Sequence, residues 1–571
     1  MSVVKALFAG RIPTESLLPY PPLKDKDRES LGLILDAIDQ FLAPKQGDFK
    51  RWDREGAQPA EFIQGLRDLG LFGLIIPEEY GGIGLSNAAY ARVLSQTSRH
   101  DSSVSLTIGA HSSIGMKGLL LFGTPDQRTK YLPRLASGEL IAAFCLTEAG
   151  AGSDAASIRT HAERNPDGSW TLTGEKIWIT NGGIADLYTV FARTPTEAGK
   201  ITAFLVEARW PGVSHGQHED KMGIRASSTT TVNFDRVRVP PENVLDTEGK
   251  GFKVAMAILN NGRTGLGGGA VGGMKSLIAL ATAQAKERRQ FGRPIAEFDL
   301  VREKIANMMV DCFAAESVVW MVAHAIDSGS DDYSTEAAIS KIFASEAMQR
   351  TAYEALQIAG GSGFMRDYPY EQTVRDSRIL TIFEGTNEVL RLYVALSGLK
   401  DLGRSYAELR SALDDIFNNP IKGFGVLGDY AEKRLTQATG IGRDRISTEL
   451  PAALREPGEI LEKYTLELAK AADYVLRRYG KGVAERQFEL KRIADIAIDL
   501  FVGACVLSRA AALQADPRTA ASAGSIATLF AQRAKRRMAE TIRRITRNED
   551  DALRAVAAFA LEEGRYPWDV L

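Results

Sequence analysis

The sequence predicts a multi-domain α+β protein with an N-terminal helical domain, a middle β domain, a helical bundle domain and a C-terminal helical domain. Two changes of periodicity support this order. Apolar residues recur with a helical period to about residue 140, alternate with polar residues from about 143 to 240, and return to a helical period from Phe252. The predicted domains are therefore residues 1–142, 143–250, 251–400 and 401–571. A chain of 571 residues has room for three or four domains.

The first domain shows the spacing of an amphipathic helix. Pro59 stands near a first helical turn, and Phe62, Leu66 and Leu69 follow at positions i, i+4 and i+7 of one face. The apolar run 118–122 continues in the same style. These residues predict helices that bury one side.

The second domain shows the signals of strands and turns. The sequence NPDG at 165–168 is typical of a turn, and residues 170–174 alternate apolar with polar side chains. Further runs rich in strand-forming residues cover 187–192, 201–208 and 230–239. Together they predict a compact β domain of about 100 residues that ends at Pro240.

Helical periodicity resumes at Phe252 and continues to about residue 399. The C-terminal domain is predicted to be helical after a loop-like patch at 418–425. Its runs 533–537 and 542–547 form a basic helix, for which three interpretations stay open: a solvated face, a membrane-surface contact or a nucleic-acid patch.

Composition excludes several classes of protein. A formal net charge of −2 provides no overall attraction to nucleic acid or anionic membrane. Cys145, Cys312 and Cys505 are too few and too widely spaced for a disulfide framework or a metal knuckle. No apolar run is expected to reach the roughly 18 residues of a membrane span. The first residues resemble neither a signal peptide nor an import leader, so we predict a cytoplasmic, bacterial enzyme.

Residues 379–390 (ILTIFEGTNEVL) carry the clearest chemical signal. Glu384 lies in an apolar run, where desolvation raises the pKa of a carboxyl group. A carboxylate with a raised pKa suits a general base that works near neutral pH. The alternative is a solvated helix end, with Gly385 as the residue that caps it.

Five further segments occur with this one in a recognisable order. They are residues 144–154 (FCLTEAGAGSD), 174–183 (GEKIWITNGG), 252–263 (FKVAMAILNNGR), 287–292 (ERRQFG) and 357–361 (QIAGG). From about residue 70 to 400, this set resembles the acyl-CoA dehydrogenases. Residues 252–263, residues 382–391 and the long tail resemble the very-long-chain subgroup.

The resemblance implies a fold, a cofactor and a reaction. The fold is the helical, β-barrel-like and helical-bundle arrangement of that family, followed here by an extra helical domain. The cofactor is FAD, because no side chain accepts the hydride that leaves when a fatty acyl-CoA becomes a trans-2-enoyl-CoA. The catalytic base is Glu384, whose backbone N–H, with a ribityl hydroxyl of FAD, would donate to the thioester oxygen.

The same resemblance implies the residues that contact substrate. Gly262 stands where another branch of the family carries its base, so Glu384 holds the majority position. Arg263 would lie beside the base and contact the thioester region with Asn260 and Asn261. The alternative for Arg263 is a cation at a helix C-terminus. Gly385 and Ser153 complete the predicted substrate contacts.

The implied cofactor contacts are spread along the chain. Trp178 would flank the flavin ring; its alternative is a core aromatic, and Gly150 and Gly152 have plain turn glycines as theirs. The full set is Phe144, Cys145, Leu146, Thr147, Gly152, Ser153, Trp178, Ile179, Thr180, Arg288, Gln290, Phe291, Gln357, Ile358, Ala359, Gly360, Gly361, Thr386, Asn387 and Glu388.

The resemblance also implies partners. Residues 357–361 would reach the FAD of a second subunit, which predicts a homodimer. An electron-transfer flavoprotein is the expected acceptor and no nucleic-acid partner is expected, while a peripheral membrane contact of the C-terminal domain stays one of the open interpretations. Residues 106–115 lack bulky charges that would block a long acyl groove, which favours long chains. The alternatives are an assembly or nucleic-acid-associated flavoprotein of this fold and an acyl-CoA oxidase.

Two other patterns are interpreted as structural. Residues 267–272 (GGGAVG) satisfy a dinucleotide fingerprint, but they follow a helical pattern and not the strand that the motif requires. His215 and His218 lack companion ligands and are expected to be loop histidines, so no metal is predicted.

Overall fold

The computed structural model describes residues 2–195, 200–414 and 445–569. The chain divides into two compact units, residues 21–389 and residues 1–20 together with 390–571. The predicted loop-like patch at 418–425 lies outside the described residues. The sequence predicts that the first twenty residues belong to the N-terminal domain and that residues 390–400 belong to the bundle. The structure groups both segments with the C-terminal helices. The first helix, α1 (Val3–Phe8), packs on those helices, including the segment around Gly398.

The larger unit begins with a helical layer. Its α4 buries Phe62, Ile63 and Leu66 on one face, as the spacing predicts. Residues Ala110–Gly115 form a π-helix, a rare form that is frequent at functional sites. The helices are α2 Asp25–Leu42, α3 Gln46–Glu55, α4 Ala60–Asp68, α5 Asn87–His100, α6 Ser102–Gly109, α7 Lys117–Phe122 and α8 Pro125–Ala136.

The β domain is an eight-stranded mixed sheet in the order β6-β7-β3-β2-β4-β5-β8, with β1 parallel to β4. Strands β4 and β5 are buried along almost their whole length. The strands are β1 Ala142–Cys145, β2 His161–Arg164, β3 Trp170–Thr180, β4 Leu187–Arg193, β5 Ile201–Glu207, β6 Val213–His215, β7 Thr229–Val239 and β8 Val244–Leu245.

An irregularity in β3 changes which side chains face outward. The register against β7 shifts between Lys176 and Ile179, and Trp178 has a φ of 57°. Because a bulge rotates the strand locally, Lys176 is fully buried while Trp178 is 65% exposed. The alternative that Trp178 is a core aromatic is therefore wrong.

The bundle helices complete the larger unit. The glycines of α9 face α5 so closely that a Cβ at Gly268 would lie 2.4 Å from the Ala91 carbonyl oxygen. The elements are α9 Gly251–Glu287, the ribbon of β9 Arg289–Gln290 and β10 Arg293–Pro294, α10 Asp299–Asp327, α11 Ser334–Ala359, α12 Gly361–Phe364 and α13 Tyr370–Ser377. The glycines at 267–272 are thus helix-packing residues, as expected from their helical context.

The C-terminal unit is helical. The side chain of Phe8 in α1 packs on Gly398, and α1 also packs on α15 and α16. The remaining helices are α1 Val3–Phe8, α14 Asn387–Asp414, α15 Arg455–Tyr479, α16 Gln487–Ala512, α17 Pro517–Thr546 and α18 Asp550–Glu563. The predicted basic helix lies within α17.

Three described helices are long and apolar enough to cross a membrane by length and composition alone: α9, α10 and Gln487–Ala515. The expectation that no run reaches this length is therefore wrong. Between 50% and 78% of each apolar window is buried inside the protein. These helices are apolar on several sides because they pack against other helices of their own unit.

Candidate active site

Glu384 lies in a tight turn between a 3₁₀ segment and α14. The 3₁₀ segment covers Arg378–Thr381, and the turn has a left-handed backbone at Glu384 (φ 54°) and Gly385 (φ 93°). Such a conformation is strained for a residue with a side chain and is often found at functional sites. The helix begins after this turn, so the alternative that Gly385 caps a preceding helix end is wrong.

The carboxyl group of Glu384 is partly withdrawn from solvent. Its Oε2 atom is buried and makes no hydrogen bond within the described residues. Burial raises the pKa of Glu384 to about 7, and the positive charges of Arg263 and Lys341 limit the rise. A group with this pKa is half ionised near neutral pH, which a general base requires.

Arg263 lies beside the turn, as predicted. Its Nη1 donates to Asn260 Oδ1 at 2.6 Å, and its Nη2 is 3.5 Å from the Glu384 carbonyl oxygen. Arg263 is in the middle of α9, which continues to Glu287, so the helix C-terminal alternative is wrong. The amide nitrogen of Asn261 instead donates to the Tyr333 hydroxyl and to the Ala257 carbonyl oxygen.

Gly262 faces the base directly. A Cβ built at Gly262 would lie 3.6 Å from Glu384 Oε1 and 2.8 Å from Ile114 Cγ2. Gly262 and Glu384 therefore lie close together in space. In the chain they are far apart, since Arg263, the residue after Gly262, is 121 positions from Glu384. Ile114 belongs to the π-helix, which thus lines the space in front of Glu384.

Polar residues of the π-helix support this wall. Ser113 Oγ and the Tyr90 hydroxyl are 2.8 Å apart, and both side chains are buried. Burial raises the pKa of Tyr90, and the charge of Glu384 raises it further. Tyr90 is therefore a neutral group close to the base. The sequence analysis did not single it out, because one tyrosine in a helix carries no pattern.

The segment after β1 is held by a buried ion pair. Lys176 Nζ donates to the Leu146 carbonyl at 3.1 Å and to Glu148 Oε1 at 2.7 Å. The Thr147 carbonyl accepts from the Ile177 amide at 3.0 Å. These carbonyls are occupied within the protein, so a ligand would meet the Thr147 hydroxyl or the amides of this segment.

The small turn that follows leaves space for a ligand. Glu148 and Ala151 form an isolated bridge, and a Cβ at Gly150 or Gly152 would meet nothing within 4 Å. Ser153 is exposed beside them. Glycine is therefore not required by packing at these two positions, which fits the close approach of a bound molecule.

The other predicted cofactor segments lie at exposed places. Arg288 ends α9, Gln290 lies in β9, and Phe291 is 94% exposed with a φ of 53°. Gln357 is in the last turn of α11, where Gly360 ends the helix with a φ of 62°. Within the described residues, no hydrogen bond joins either segment to the Glu384 turn.

Four predicted contacts need correction at the level of the side chain. Cys145, Ile179 and Ile358 are buried in the core, so their side chains cannot touch a ligand. The side chain of Asn387 is also buried, and its amide is fully used by Lys341, Ser345 and Glu346. A motif marks segments of the chain and does not distinguish inward from outward positions.

The remaining predicted positions differ in exposure. Phe144 is half-buried against Phe191, and Thr180 is half-buried at the end of β3. The Thr386 hydroxyl accepts from the Val389 amide at 3.3 Å and so begins α14, while Glu388 is exposed. Ala359 is buried and Gly361 is exposed.

A flavin fits the residues present. Trp178 and Phe291 expose large aromatic surfaces, which a planar ring system can cover. The open turn at Gly150 and Gly152 admits close approach to the backbone, and Arg288 places an exposed cation for phosphate. Among the described residues, no group of three His, Cys, Asp or Glu side chains could hold a metal ion.

The two histidines that the sequence singled out do not act together. His215 Nδ1 is 3.0 Å from the Gly216 oxygen, whereas His218 Nε2 is 2.9 Å from the Ser227 oxygen. His215 is exposed and His218 is half-buried, where burial lowers the pKa of its imidazole. Each bonds a backbone carbonyl and not a shared ligand.

Comparison with known proteins identifies the fold. Residues 29–139, 143–237 and 249–399 match the N-terminal, middle and C-terminal domains of acyl-CoA dehydrogenase. This chain belongs to the acyl-CoA dehydrogenase family. Residues 452–566 match the C-terminal domain described as ACAD9/ACADV, which fits the predicted very-long-chain subgroup.

Named relatives of the family agree with these matches. The chain is 46% identical over 519 residues to the mitochondrial very long-chain specific acyl-CoA dehydrogenase of Macaca fascicularis, covering 89% of this chain and 78% of that protein. The acyl-CoA dehydrogenase of Bacillus anthracis, solved with FAD, is 30% identical with a TM-score of 0.82, covering 99% of this chain and 96% of the other.

A third relative comes from an electron-transfer system. A chain from a structure described as the electron transferring flavoprotein of Acidaminococcus fermentans is 36% identical, with a TM-score of 0.63. The match covers 66% of this chain and 98% of that chain. Family members that match only two thirds of this chain lack a counterpart for its remaining third.

Proposed function

We propose that this protein is an FAD-dependent acyl-CoA dehydrogenase that converts long-chain fatty acyl-CoA to trans-2-enoyl-CoA, the first step of fatty acid β-oxidation. The observation that carries the proposal is the buried carboxyl of Glu384, which has a pKa of about 7 and whose Oε2 atom has no hydrogen-bond partner among the residues that the structure describes. A proton acceptor that is withdrawn from water in this way suits removal of a weakly acidic C–H proton.

The residues of this chain divide the work of the reaction. Glu384 accepts the proton from the α-carbon, and its left-handed backbone turns its own N–H away from helical bonding. That N–H donates to the thioester oxygen as negative charge develops there. Arg263 and Lys341 keep Glu384 ionisable by opposing the effect of burial on its pKa. FAD, when bound against Trp178 and the 144–153 segment, supplies the acceptor for the hydride of the β-carbon.

The preference for long chains rests on two observations. The first is the identity with a very long-chain specific enzyme over most of this chain. The second is the wall in front of Glu384, where Gly262 has no side chain and Ile114 of the π-helix is apolar. A narrow apolar groove that continues past the base gains binding free energy with each methylene that it buries.

One spectroscopic experiment tests the activity. Purified holoprotein mixed anaerobically with palmitoyl-CoA is expected to lose its flavin absorbance, and admission of air is expected to restore it only slowly. The variant Glu384→Gln is expected to keep the flavin but to reduce it at least tenfold more slowly than wild type. Rapid reoxidation by O₂ with peroxide release would indicate an acyl-CoA oxidase, and no bleaching of the wild type would refute the assignment.

A homodimer and an electron-transfer flavoprotein acceptor are also part of the proposal. The exposed positions of Phe291 and of residues 360–361 support a second subunit that covers them. Light scattering of the holoprotein is expected to give a dimer, and a fully flavinylated monomer would contradict it. Electron transfer to a purified electron-transfer flavoprotein, followed by the absorbance of its own flavin, tests the acceptor.

We further propose that the C-terminal domain attaches this cytoplasmic enzyme to an anionic membrane surface. Lys535 and Arg536 in α17 and Arg547 directly after it are exposed cations. The next helix, α18, exposes Val556 and Leu561 at 69% and 85%, and the aromatic tail after it exposes Tyr566 and Trp568. Exposed aromatic and aliphatic side chains next to cations are typical of helices that lie in a membrane interface.

Vesicle flotation tests this attachment. The full-length holoprotein is expected to float with vesicles that contain phosphatidylglycerol and to stay in solution with neutral phosphatidylcholine vesicles. The double variant Leu561→Ser, Trp568→Ser is expected to lose binding while retaining activity with soluble palmitoyl-CoA. Unchanged flotation of the double variant would contradict the role of α18. Loss of the dimer in that variant would instead show that α18 contacts a second copy.

A further inference from the structure

Lys341 is a fully buried lysine at the catalytic turn. It lies in α11 with no exposed surface, and its Nζ donates to the Gly385 carbonyl at 2.8 Å and to Asn387 Oδ1 at 2.9 Å. Burial of an ammonium group is costly unless its hydrogen bonds are satisfied by well-placed partners. Both of these partners belong to the four-residue stretch that begins with Glu384.

The same helix holds the far side of the turn. Asn387 Nδ2 donates to Ser345 Oγ at 3.0 Å and to Glu346 Oε1 at 3.1 Å. Ser345 lies one helical turn after Lys341, so both residues face the same way from α11. Both the oxygen and the nitrogen of the Asn387 amide are thus hydrogen-bonded to side chains of α11. These bonds fix the start of α14 on α11.

Two cations from different helices face successive carbonyl groups of the turn. Arg263 of α9 approaches the Glu384 carbonyl at 3.5 Å, and Lys341 of α11 bonds the Gly385 carbonyl at 2.8 Å. A left-handed turn points consecutive carbonyls and amides in directions that a helix would not use. Cations at these oxygens favour that arrangement over the competing backbone conformations.

We propose that Lys341 is a positioning residue that fixes the left-handed turn and thereby aims both the carboxylate and the backbone N–H of Glu384 at the substrate. This role rests on the proposed dehydrogenase function. Lys341 reaches Glu384 through Gly385 and Asn387 and does not contact the substrate. The sequence offers no sign of the role, since Lys341 is one lysine in a long helix, 43 positions before the base.

The charge of Lys341 also acts on the ionisation of the base. The charged groups that face Lys341 are Glu384, Arg263 and the acidic residues Glu346 and Glu388, while Glu384 faces the two cations and the neutral Tyr90. Burial lowers the pKa of Lys341 to about 8, so it is protonated at neutral pH. Removal of this charge therefore raises the pKa of Glu384.

The test uses the holoenzyme and the variant Lys341→Met, which keeps the length of the side chain but removes its charge and donors. The rate of anaerobic flavin reduction by palmitoyl-CoA is measured by stopped flow from pH 5.5 to 9. We expect a rate at least tenfold lower at pH 7, a substrate KM within threefold of wild type, and a half-maximal pH raised by about one unit, equivalent to a tenfold change in ionised fraction.

A matched control removes another buried lysine. Burial also lowers the pKa of Lys117 in α7 to about 8, but the charge that faces it is Asp327 and not Glu384. Lys117→Met is therefore expected to leave the half-maximal pH unchanged. If Lys341→Met binds no flavin, Lys341→Gln, which restores a donor without a charge, takes its place with the same expected shift in pH.

The outcomes separate the two proposals. If wild-type enzyme is not reduced by palmitoyl-CoA, the proposed function fails and not the role of Lys341. If wild type is reduced and Lys341→Met shows the same rate and pH midpoint, Lys341 does not position the base. A variant with a lower melting temperature but an unchanged pH midpoint per bound flavin would show a purely structural role and would also overturn the proposal.

Discussion

At the scale of single residues, Glu384 is a compromise between catalysis and stability. Its carboxyl group is buried without a hydrogen bond to Oε2, and its backbone adopts a left-handed conformation. A non-glycine residue in this conformation costs on the order of 1 kcal/mol. The protein keeps this arrangement because a solvated glutamate with an ordinary pKa would be a much weaker base near neutral pH.

The raised pKa of Glu384 predicts a pH-dependent loss of stability. The pKa is about 7 in the folded protein against 4.5 for the unfolded chain. The folded state therefore binds this proton more tightly, and the associated stability is present below pH 4.5 and is lost as the pH rises through 7. The loss is at most about 3.5 kcal/mol, from about 1.4 kcal/mol per pKa unit.

Glu384→Gln removes that titration. We expect the variant to gain stability relative to wild type at pH 8 and to gain much less at pH 4.5, as measured by urea unfolding of the flavin-free proteins. Glu388→Gln, at an exposed position four residues later, is the matched control for the loss of a carboxylate from the same segment. An equal effect of Glu384→Gln at the two pH values would mean that its pKa is not raised.

The sequence predicted the base and its neighbours more completely than it predicted their support. Glu384, Arg263 and Gly262 were found because an acid in an apolar run and a family motif are visible in the chain. Lys341 and Lys176 were missed, because a buried lysine looks the same in sequence as an exposed one. Only the fold shows which lysine Nζ atoms face backbone carbonyls.

At the scale of elements, the packing of α9 on α5 depends on glycine. A Cβ at Gly272 would lie 1.9 Å from the Ser95 carbonyl oxygen, and one at Gly268 would lie 2.4 Å from the Ala91 oxygen. Two helix backbones can approach this closely only where no side chain intervenes. Glycine lowers the intrinsic stability of a helix, so its repetition in α9 reflects this contact.

Two substitutions on α9 test the contact. Gly272→Ala is expected to destabilise the protein by about 2 kcal/mol or more, because α5 must move to admit the methyl group. A Cβ at Gly269 would lie 3.4 Å from Ser105 Oγ and 3.9 Å from Ser98 Oγ, which are ordinary contact distances. Gly269→Ala is expected to be neutral or to stabilise by up to about 1 kcal/mol through helix propensity. Thermal unfolding of both variants measures the two changes in stability. Equal changes would contradict the argument that α9 needs glycine where it packs on α5.

The boundaries of helices and strands were predicted well where periodicity is long and regular. The period of the chain indicated α4, β4, β5 and β7, and the structure confirms them. The bulge in β3 was not predicted, because alternation assumes a constant register. The assignment of the first twenty residues also failed, since contacts between distant parts of a chain leave no local pattern.

At the scale of the whole molecule, the proposed long-chain specificity predicts how activity depends on acyl length. An apolar groove adds affinity with each methylene until it ends, at most about 0.8 kcal/mol per CH₂ or about tenfold per two carbons. We expect kcat/KM with a dye acceptor to rise from butyryl- through octanoyl- to palmitoyl-CoA, with an optimum at about fourteen to eighteen carbons because burial is then complete.

The comparison across butyryl-, octanoyl-, palmitoyl- and stearoyl-CoA measures this selectivity. A maximum at octanoyl-CoA or below would mean that the groove is blocked near residues 106–115. Such a result would contradict the long-chain preference, while membership of the acyl-CoA dehydrogenase family rests on separate observations.

Because α18 is exposed, it is expected to unfold locally more often than the buried helices do. Its side chains from 551 to 563 are exposed, so few contacts oppose its fraying, whereas α9 is buried along much of its length. Backbone amide hydrogens of α18 should therefore exchange with deuterium within seconds, while those near Gly268 should exchange only when the larger unit opens as a whole. Slower exchange of the α18 amide hydrogens in the presence of vesicles would show that this helix binds the vesicle surface.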